Sequence, residues 1–357
     1  MDPIQFAMIG TGWRSGFFMR AARENPELFT CVGMVYHSDE GKKRAGVWGV
    51  PLYSSAEDLL AETKPDYAVV ALSRKSGATV AMTKKLSAQG IPVLMETPPG
   101  ESLEELTDFY RECAGRMIQV AEQYQFQPEI AARLAVAHSG EIGRVYQSRL
   151  QLPNGYHSIS VHRKALGVGM ALPKVWGKSY EQKRLAGPGR NGDPVSAEFP
   201  TIKQMLFHLD YGDKQAFNDL EGDQCRGWIR TPHFNIRGEI GEIYDMGVTY
   251  MKDYLTPVHY ELTRVEAGNG SNLEGHYLRG ITGREGYLFE NPFKEARLFD
   301  DEVAVATCML KMGEYVRGGE PFYNLEEALQ DRYLSLLTVE SDRTGKVIQA
   351  EPQIWMP

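Results

Sequence analysis

The chain has 357 residues, enough for two domains of ordinary size, and its 42% hydrophobic and 24% charged content is that of a globular protein with sizeable cores. Its 39 basic against 47 acidic residues leave a net charge of -8, which argues against nucleic-acid or anionic-membrane partners, since both ask for a basic footprint. Cys31, Cys113, Cys225 and Cys308 are far apart with no C-x-x-C, so buried free thiols are expected rather than disulfides or zinc, and with no basic leader or long apolar run the chain is expected in the cytoplasm.

From Pro3 to Ala22 the chain reads as a strand (Ile4, Phe6, Met8, Ile9), a turn Gly10-Thr11-Gly12, and a helix with an apolar run from Phe17. Glycine at position 10 suits a tight turn, and glycine at 12 lets backbone N–H groups approach a pyrophosphate at the helix start. Ser15 stands where a third glycine is expected, with Gly16 one place late. Alone, the turn is equally that of an ordinary strand-to-helix connection.

Thr30 to Tyr36 is a second buried strand, running into Tyr36, His37, Ser38 and Asp39 with Lys42, Lys43 and Arg44 behind. An acid there would hold a ribose 2′-hydroxyl and basic groups a 2′-phosphate, so NAD and NADP both stay open, as does a reading of solvated loop charges. Ser55 to Glu62 is a helix, Asp66 to Leu72 a wholly apolar strand, Ser76 to Gln89 a helix, Ile91 to Met95 a strand, and Ser102 to Ala114 a helix with Glu105 at the capping-box position. Met117 to Ala121 closes the series. This alternation is the doubly wound α/β pattern of a Rossmann domain over residues 1–122.

Beyond Pro128 the pattern changes. A helix from Glu129 to Ala137, a strand from Val145 to Leu152 and a helix from Tyr156 to Leu166 precede a polar, Gly-, Lys- and Pro-rich stretch, Pro173 to Pro200, with no clear period. Strands and hairpins follow from Gln204, with turns at Arg237-Gly238-Glu239 and Gly283-Arg284-Glu285-Gly286 that read as two hairpins of one sheet. Asp301 to Arg317 and Leu325 to Glu340 are amphipathic helices. Residues 123–357 are thus an α+β domain with a large, mainly antiparallel open sheet.

Four stretches together resemble the Gfo/Idh/MocA (glucose-fructose oxidoreductase, inositol dehydrogenase) family: Ile9-Gly10-Thr11-Gly12-Trp13, Val93-Leu94-Met95-Glu96-Thr97-Pro98, Val120 to Pro128, and Gly155-Tyr156-His157 leading to Leu166-Gly167. The resemblance implies a Rossmann domain holding NAD or NADP, oxidation of a sugar or polyol alcohol, and a homodimer or homotetramer built through the C-terminal sheet. It implies a cofactor set of Gly10, Thr11, Gly12, Trp13, Arg14, His37, Ser38, Ser73, Lys75, Glu96, Thr97, Pro98 and Gln125. For substrate it implies Tyr124, Tyr156, His157, Arg163 and Trp176, with Trp176 open to subunit contacts as well. No His and carboxylate set has ligand spacing on one element, so no metal is expected.

Two departures matter. The family's Glu-Lys-Pro is here Glu96-Thr97-Pro98, so the ammonium that would bind the reacting oxygen is replaced by a hydroxyl donor; Pro98 admits a cis peptide. In the histidine motif, Pro153 and Ser160 replace the two aspartates, leaving His157 without its carboxylate partners. Asp245-Met246-Gly247-Val248-Thr249 copies the local letters but lacks the histidine and lies in hairpin context. His157 is the expected base, its imidazole taking an alcohol proton, with Thr97 as auxiliary donor; the alternative is a helix-start histidine that bonds a loop. His162 is expected at a surface or interface, and Arg163 as a solvated charge or a ligand for an acidic substituent. Tyr124 lines a carbohydrate subsite or packs in the core.

Overall fold

In the computed structural model, which describes residues 2–72, 77–151, 153, 155–189, 192–222, 224–272 and 275–357, the wholly apolar run predicted around residue 68 is a strand buried on both faces. It belongs to a six-stranded parallel sheet of β1 (Ile4–Ile9), β2 (Phe29–Val35), β3 (Leu52–Tyr53), β4 (Tyr67–Val70), β5 (Val93–Met95) and β6 (Ile118–Val120). Their order is β3-β2-β1-β4-β5-β6, so the order reverses between β1 and β4. Helices α1 (Ser15–Glu24), α2 (Asp39–Ala45), α3 (Ala56–Glu62), α4 (Ala78–Ala88) and α5 (Leu103–Cys113) make the crossovers. Three of them start where a serine stops the strand-like backbone: Ser38, Ser55 and Ser102 each accept an N–H from the first helical turn.

The second half begins with α6 (Pro128–His138), β7 (Val145–Leu150) and α7 (Gly155–Leu166). It continues with β8 (Lys174–Lys183), β9 (Thr201–Asp210), β10 (Gln215–Glu221), β11 (Phe234–Gly238), β12 (Gly241–Tyr244), β13 (Gly247–Met251) and β14 (Pro257–Glu261). Then come β15 (Thr263–Ala267), β16 (Tyr277–Gly283), β17 (Gly286–Glu290), α8 (Asp300–Val316), α9 (Leu325–Thr344) and β18 (Ile348–Gln349). Nine strands form one sheet, β14-β13-β12-β11-β7-β10-β9-β8-β18, in which only β7 and β10 run parallel. Helices α6, α7 and α9 pack on it.

Three expectations are corrected. The stretch from Pro173 is not featureless, because β8 lies within it. Val175, Gly177 and the half-buried Ser179 face α9, where a Cβ on Gly177 would stand 2.3 Å from the Thr338 carbonyl and the Ser179 N–H donates to Asp342 at 2.9 Å, so close packing rather than apolar alternation marks this strand. The two similar turns belong to different sheets: β11 and β12 pair within the nine strands, whereas β16 and β17 form a separate three-stranded sheet with β15 that packs on α6. The thiols are free, but Cys225 is exposed and Cys31 only half-buried.

The boundary expected at residue 122 does not divide the packing cleanly. Helix α8 returns to the parallel sheet, where Met309 and Met312 join Phe6, Met8 and Phe18 in one core and the Tyr67 hydroxyl donates to the Met309 carbonyl at 3.0 Å. Gly313 is why it fits: a Cβ there would lie 2.2 Å from Ile4. The start of α8 is thereby delivered to the C-terminal ends of the parallel strands. No helix among the described residues is long and apolar enough to cross a membrane.

Candidate functional site

At the end of β1 the chain turns on Gly10, whose φ of 120° belongs to glycine, and a Cβ there would stand 2.3 Å from the Ala71 carbonyl oxygen beyond β4. The turn therefore opens on the crevice where the strand order reverses, the usual ligand position of a doubly wound sheet. At Gly12 the added Cβ would meet nothing within 4 Å, so open space faces that backbone at the start of α1. Unpaired N–H groups and the positive end of a helix favour phosphate there. Ser15, in the place of the third glycine, is buried with its hydroxyl unpartnered. This cradle fits a dinucleotide pyrophosphate.

Arg14 closes the turn from behind. Its Nε meets Glu96 Oε1 at 2.5 Å and its Nη1 meets Asp301 Oδ2 at 3.3 Å, with the guanidinium 4.8 Å over the Phe17 ring. Burial alone would lower its pKa, but Glu96 and Asp301 more than offset that and hold it above the ordinary arginine range. Asp301, from the start of α8, also accepts from Gln123 and Gln127, each at 3.2 Å. Glu96 turns its second oxygen back to the Thr97 N–H at 3.1 Å, and the Thr97-Pro98 peptide is cis. Arg14, Glu96, Thr97 and Pro98 thus come together, yet the cation and its carboxylates are spent on one another.

His157 does have a carboxylate partner. Its Nδ1 lies 2.5 Å from Oε2 of Glu122, a side chain with 0% exposure placed just beyond β6. The neighbouring Ala121 N–H pairs with the Met95 carbonyl at 2.8 Å, so Glu96 and Glu122 follow adjacent strand ends. An ionised carboxylate only accepts, so Nδ1–H donates to Glu122 and Nε2 keeps its lone pair on the opposite side of the ring. The ring is flanked by Tyr124 at 4.8 Å and Tyr156 at 5.2 Å between centroids. Burial first, then the Asp301 and Glu122 carboxylates, push the Tyr124 phenol above its usual range, so it stays a neutral donor at ordinary pH. Gln125 reaches back to the Glu122 carbonyl at 3.5 Å.

Glu122 lies within Val120 to Pro128 but carries no spacing signal, because its partner is thirty-five residues away. Asp301 likewise meets Arg14 only through the return of α8.

Other predicted residues lie elsewhere. Arg163 is no substrate ligand or solvated charge: it is 5% exposed, its Nη1 is bonded to the buried Asp331, and its Nε and Nη2 donate to the Gly169 carbonyl. Asp331 in turn accepts from the Tyr323 hydroxyl, which contacts that of Tyr156 at 3.1 Å. Trp176 alternates with the inward Val175 and Gly177, so it points away from α9 and out of the His157 cluster, beside His208 on β9. His162 is wholly buried instead of surface-bound, and its Nδ1 meets the Ser148 hydroxyl at 2.8 Å. Trp13 is 51% exposed at the turn, edge-on to Phe17. His37 is exposed, and Ser38 caps α2. Ser73 and Lys75 fall outside the described residues. Asp245, in the hairpin turn between β12 and β13, does find a histidine: His233 Nδ1 at 2.7 Å.

Residues 4–124 match the Gfo/Idh/MocA family, described as an oxidoreductase family with an NAD-binding Rossmann fold. An uncharacterised oxidoreductase of Schizosaccharomyces pombe is 23% identical over 154 residues, which make 41% of this chain and 41% of that relative's length. The match therefore spans less than half of that relative. Among solved structures, an oxidoreductase of Agrobacterium radiobacter in complex with NAD+, L-tartaric acid and magnesium is similar at a TM-score of 0.67 and 17% identity, over 97% of this chain and 98% of its own. A myo-inositol dehydrogenase of Corynebacterium glutamicum is similar at 0.66 and 16%, over 98% and 100%. GenD2 of gentamicin A biosynthesis, in complex with NAD, is similar at 0.65 and 14%, over 99% and 97%. At these identities the likeness establishes the fold, over nearly the whole length of each chain.

Proposed function

We propose, from an N-terminal domain that belongs to the Gfo/Idh/MocA oxidoreductase family, that this chain is an NAD(P)-dependent oxidoreductase acting on a secondary alcohol of a sugar, glycoside or cyclitol. The Glu122–His157 pair carries this reading. It sets a histidine, with one nitrogen fixed and the other free, at the ends of the strands whose glycine turn fits a dinucleotide. A bound nicotinamide would accept the hydride.

The chain's own residues do the rest. His157 Nε2 takes the hydroxyl proton, and Glu122, already hydrogen-bonded at Nδ1, stabilises the imidazolium that forms. Thr97, with no charge, donates at most one hydrogen bond to the reacting oxygen. Tyr124 flanks the imidazole with a flat face suited to C–H surfaces of a ring substrate, while Tyr156, 5% exposed, backs the ring from the core and is no substrate contact. The solved myo-inositol dehydrogenase of the same fold supports a polyol, and the exposed Trp176, Tyr180 and Tyr244 on the nine-stranded sheet support a homo-oligomer built through it.

The test is stopped-flow absorbance of reduced nicotinamide with NAD+ and NADP+ against cyclitols, free sugars and glycosides. Hydride transfer to at least one panel member is expected, and none at all despite cofactor binding would sink the proposal. One observation favours a second reading. Since Thr97 brings no cation and Arg14 is neutralised by Glu96 and Asp301, a redox-neutral lyase or hydrolase that keeps its nucleotide would show product without net change in nicotinamide.

A further inference from the structure

The dinucleotide cradle has an outer rim, formed where α2 rests against the glycine turn. We propose that this rim is built for a 2′-phosphate, so that the chain binds NADP(H) in preference to NAD(H), with Arg44 and Ser38 as the recognising residues. The proposal rests on the cofactor reading above and goes beyond it by choosing between the two nucleotides.

A Rossmann unit that prefers the unphosphorylated ribose places an acid after its second strand to hold the 2′-hydroxyl, whereas an arginine nearby accommodates the phosphate. Here β2 ends at Val35 and is followed by Tyr36, His37 and Ser38; the first acid, Asp39, comes only in the first turn of α2. Arg44 leans from α2 over the turn: its Nε donates to the Thr11 carbonyl at 3.2 Å, between the two glycines. The approach is close, since a Cβ on Gly41 would stand 2.5 Å from the Thr11 hydroxyl oxygen. A cation is therefore held at the edge of the glycine turn that would take the pyrophosphate.

Ser38 and Lys42 add to this. Ser38 Oγ accepts the Gly41 N–H at 3.1 Å, which leaves its own proton to donate to an anion. Lys42 lies 5.1 Å over the Tyr36 ring, a second cation on the rim beside the exposed His37. The nearest counter-charge is Glu40, 2.5 Å from Arg44 Nη1. That pair is an exposed i,i+4 contact, which contributes little, and a guanidinium with five N–H donors has used two. An incoming phosphate is a stronger partner than the Thr11 carbonyl and meets donors already in place.

Titration calorimetry of the full chain with NADPH and with NADH tests this without a substrate. NADPH is expected to bind at least about tenfold more tightly, and Arg44→Ala to weaken NADPH by about tenfold while changing NADH by less than about twofold. Tyr36→Asp, which restores an acid after β2, is expected to swing the preference towards NADH. NADH binding as tightly as NADPH, or an Arg44→Ala loss equal for both, would overturn the 2′-phosphate site. Binding of neither nucleotide would remove the cofactor reading itself.

Discussion

The start of α7 and its buried middle carry the same residue type to opposite ends. His157 keeps part of its ring open and meets Glu122, while His162 is sealed among Ser148 and Phe207, with the Phe207 ring edge-on at 5.9 Å. One imidazole has a carboxylate on one nitrogen and solvent on the other side. The other imidazole is denied a proton, since burial lowers its pKa to about 3. The helix does not decide this; the neighbouring elements do, β6 bringing a carboxylate to the first turn and β7 a hydroxyl to the middle.

The largest expected effect lies at the start. His157→Gln keeps an N–H for Glu122 but removes the base, so turnover should fall by about 10²–10⁴ while thermal unfolding shifts little. Steady-state rates on whichever alcohol the panel identifies, paired with melting curves, check it. A rate within about threefold of the parent chain would place the proton transfer elsewhere.

The next effect belongs to the middle. Arg163→Met leaves Asp331 buried at 0% exposure with only the Tyr323 hydroxyl to answer it, and should destabilise the fold by about 3–5 kcal/mol in denaturant titration. Adding Asp331→Leu should restore most of that, because the unpaired charge goes with it. If Arg163→Met instead spared stability and raised only the substrate requirement, Arg163 would be a ligand after all, and both parts of α7 would serve the site.

The contrast also marks how far the sequence could be read. The parallel sheet was legible because its signals are local: β4 is apolar throughout, and Ser55 and Ser102 announce their helices within four residues, whereas α2 after Ser38 was hidden among charges that read equally as a loop. His157 was legible through the motif around it. Its partner was not, because Pro153 and Ser160 occupy the places where carboxylates were sought, and Glu122 arrives from beyond β6 through tertiary contact alone. The same limit hid Asp331 from Arg163, and the return of α8 that puts Asp301 on Arg14. β8 escaped notice for a different reason: its positions facing α9 are a valine, a glycine and a serine, a pattern without hydrophobic period.

The smallest effect, and the finest test of the contrast, is the pH dependence contributed by His162. In the unfolded chain its pKa returns to about 6.5, well above the folded value of about 3. Above the unfolded value both states hold a neutral ring and the group adds no slope. As pH falls below it, the unfolded chain takes up a proton that the folded chain refuses, so stability is lost at up to about 1.4 kcal/mol per pH unit until the folded ring also titrates. His162→Gln keeps a hydrogen bond within reach of Ser148 and cannot titrate. Between about pH 6 and about pH 4, its unfolding free energy should therefore fall less steeply than that of the parent chain by nearly that amount per unit. Carboxylate titrations common to both chains cancel in the difference. Equal slopes would mean that the folded protein protonates His162 readily, and the buried middle of α7 would then be as open to protons as its start.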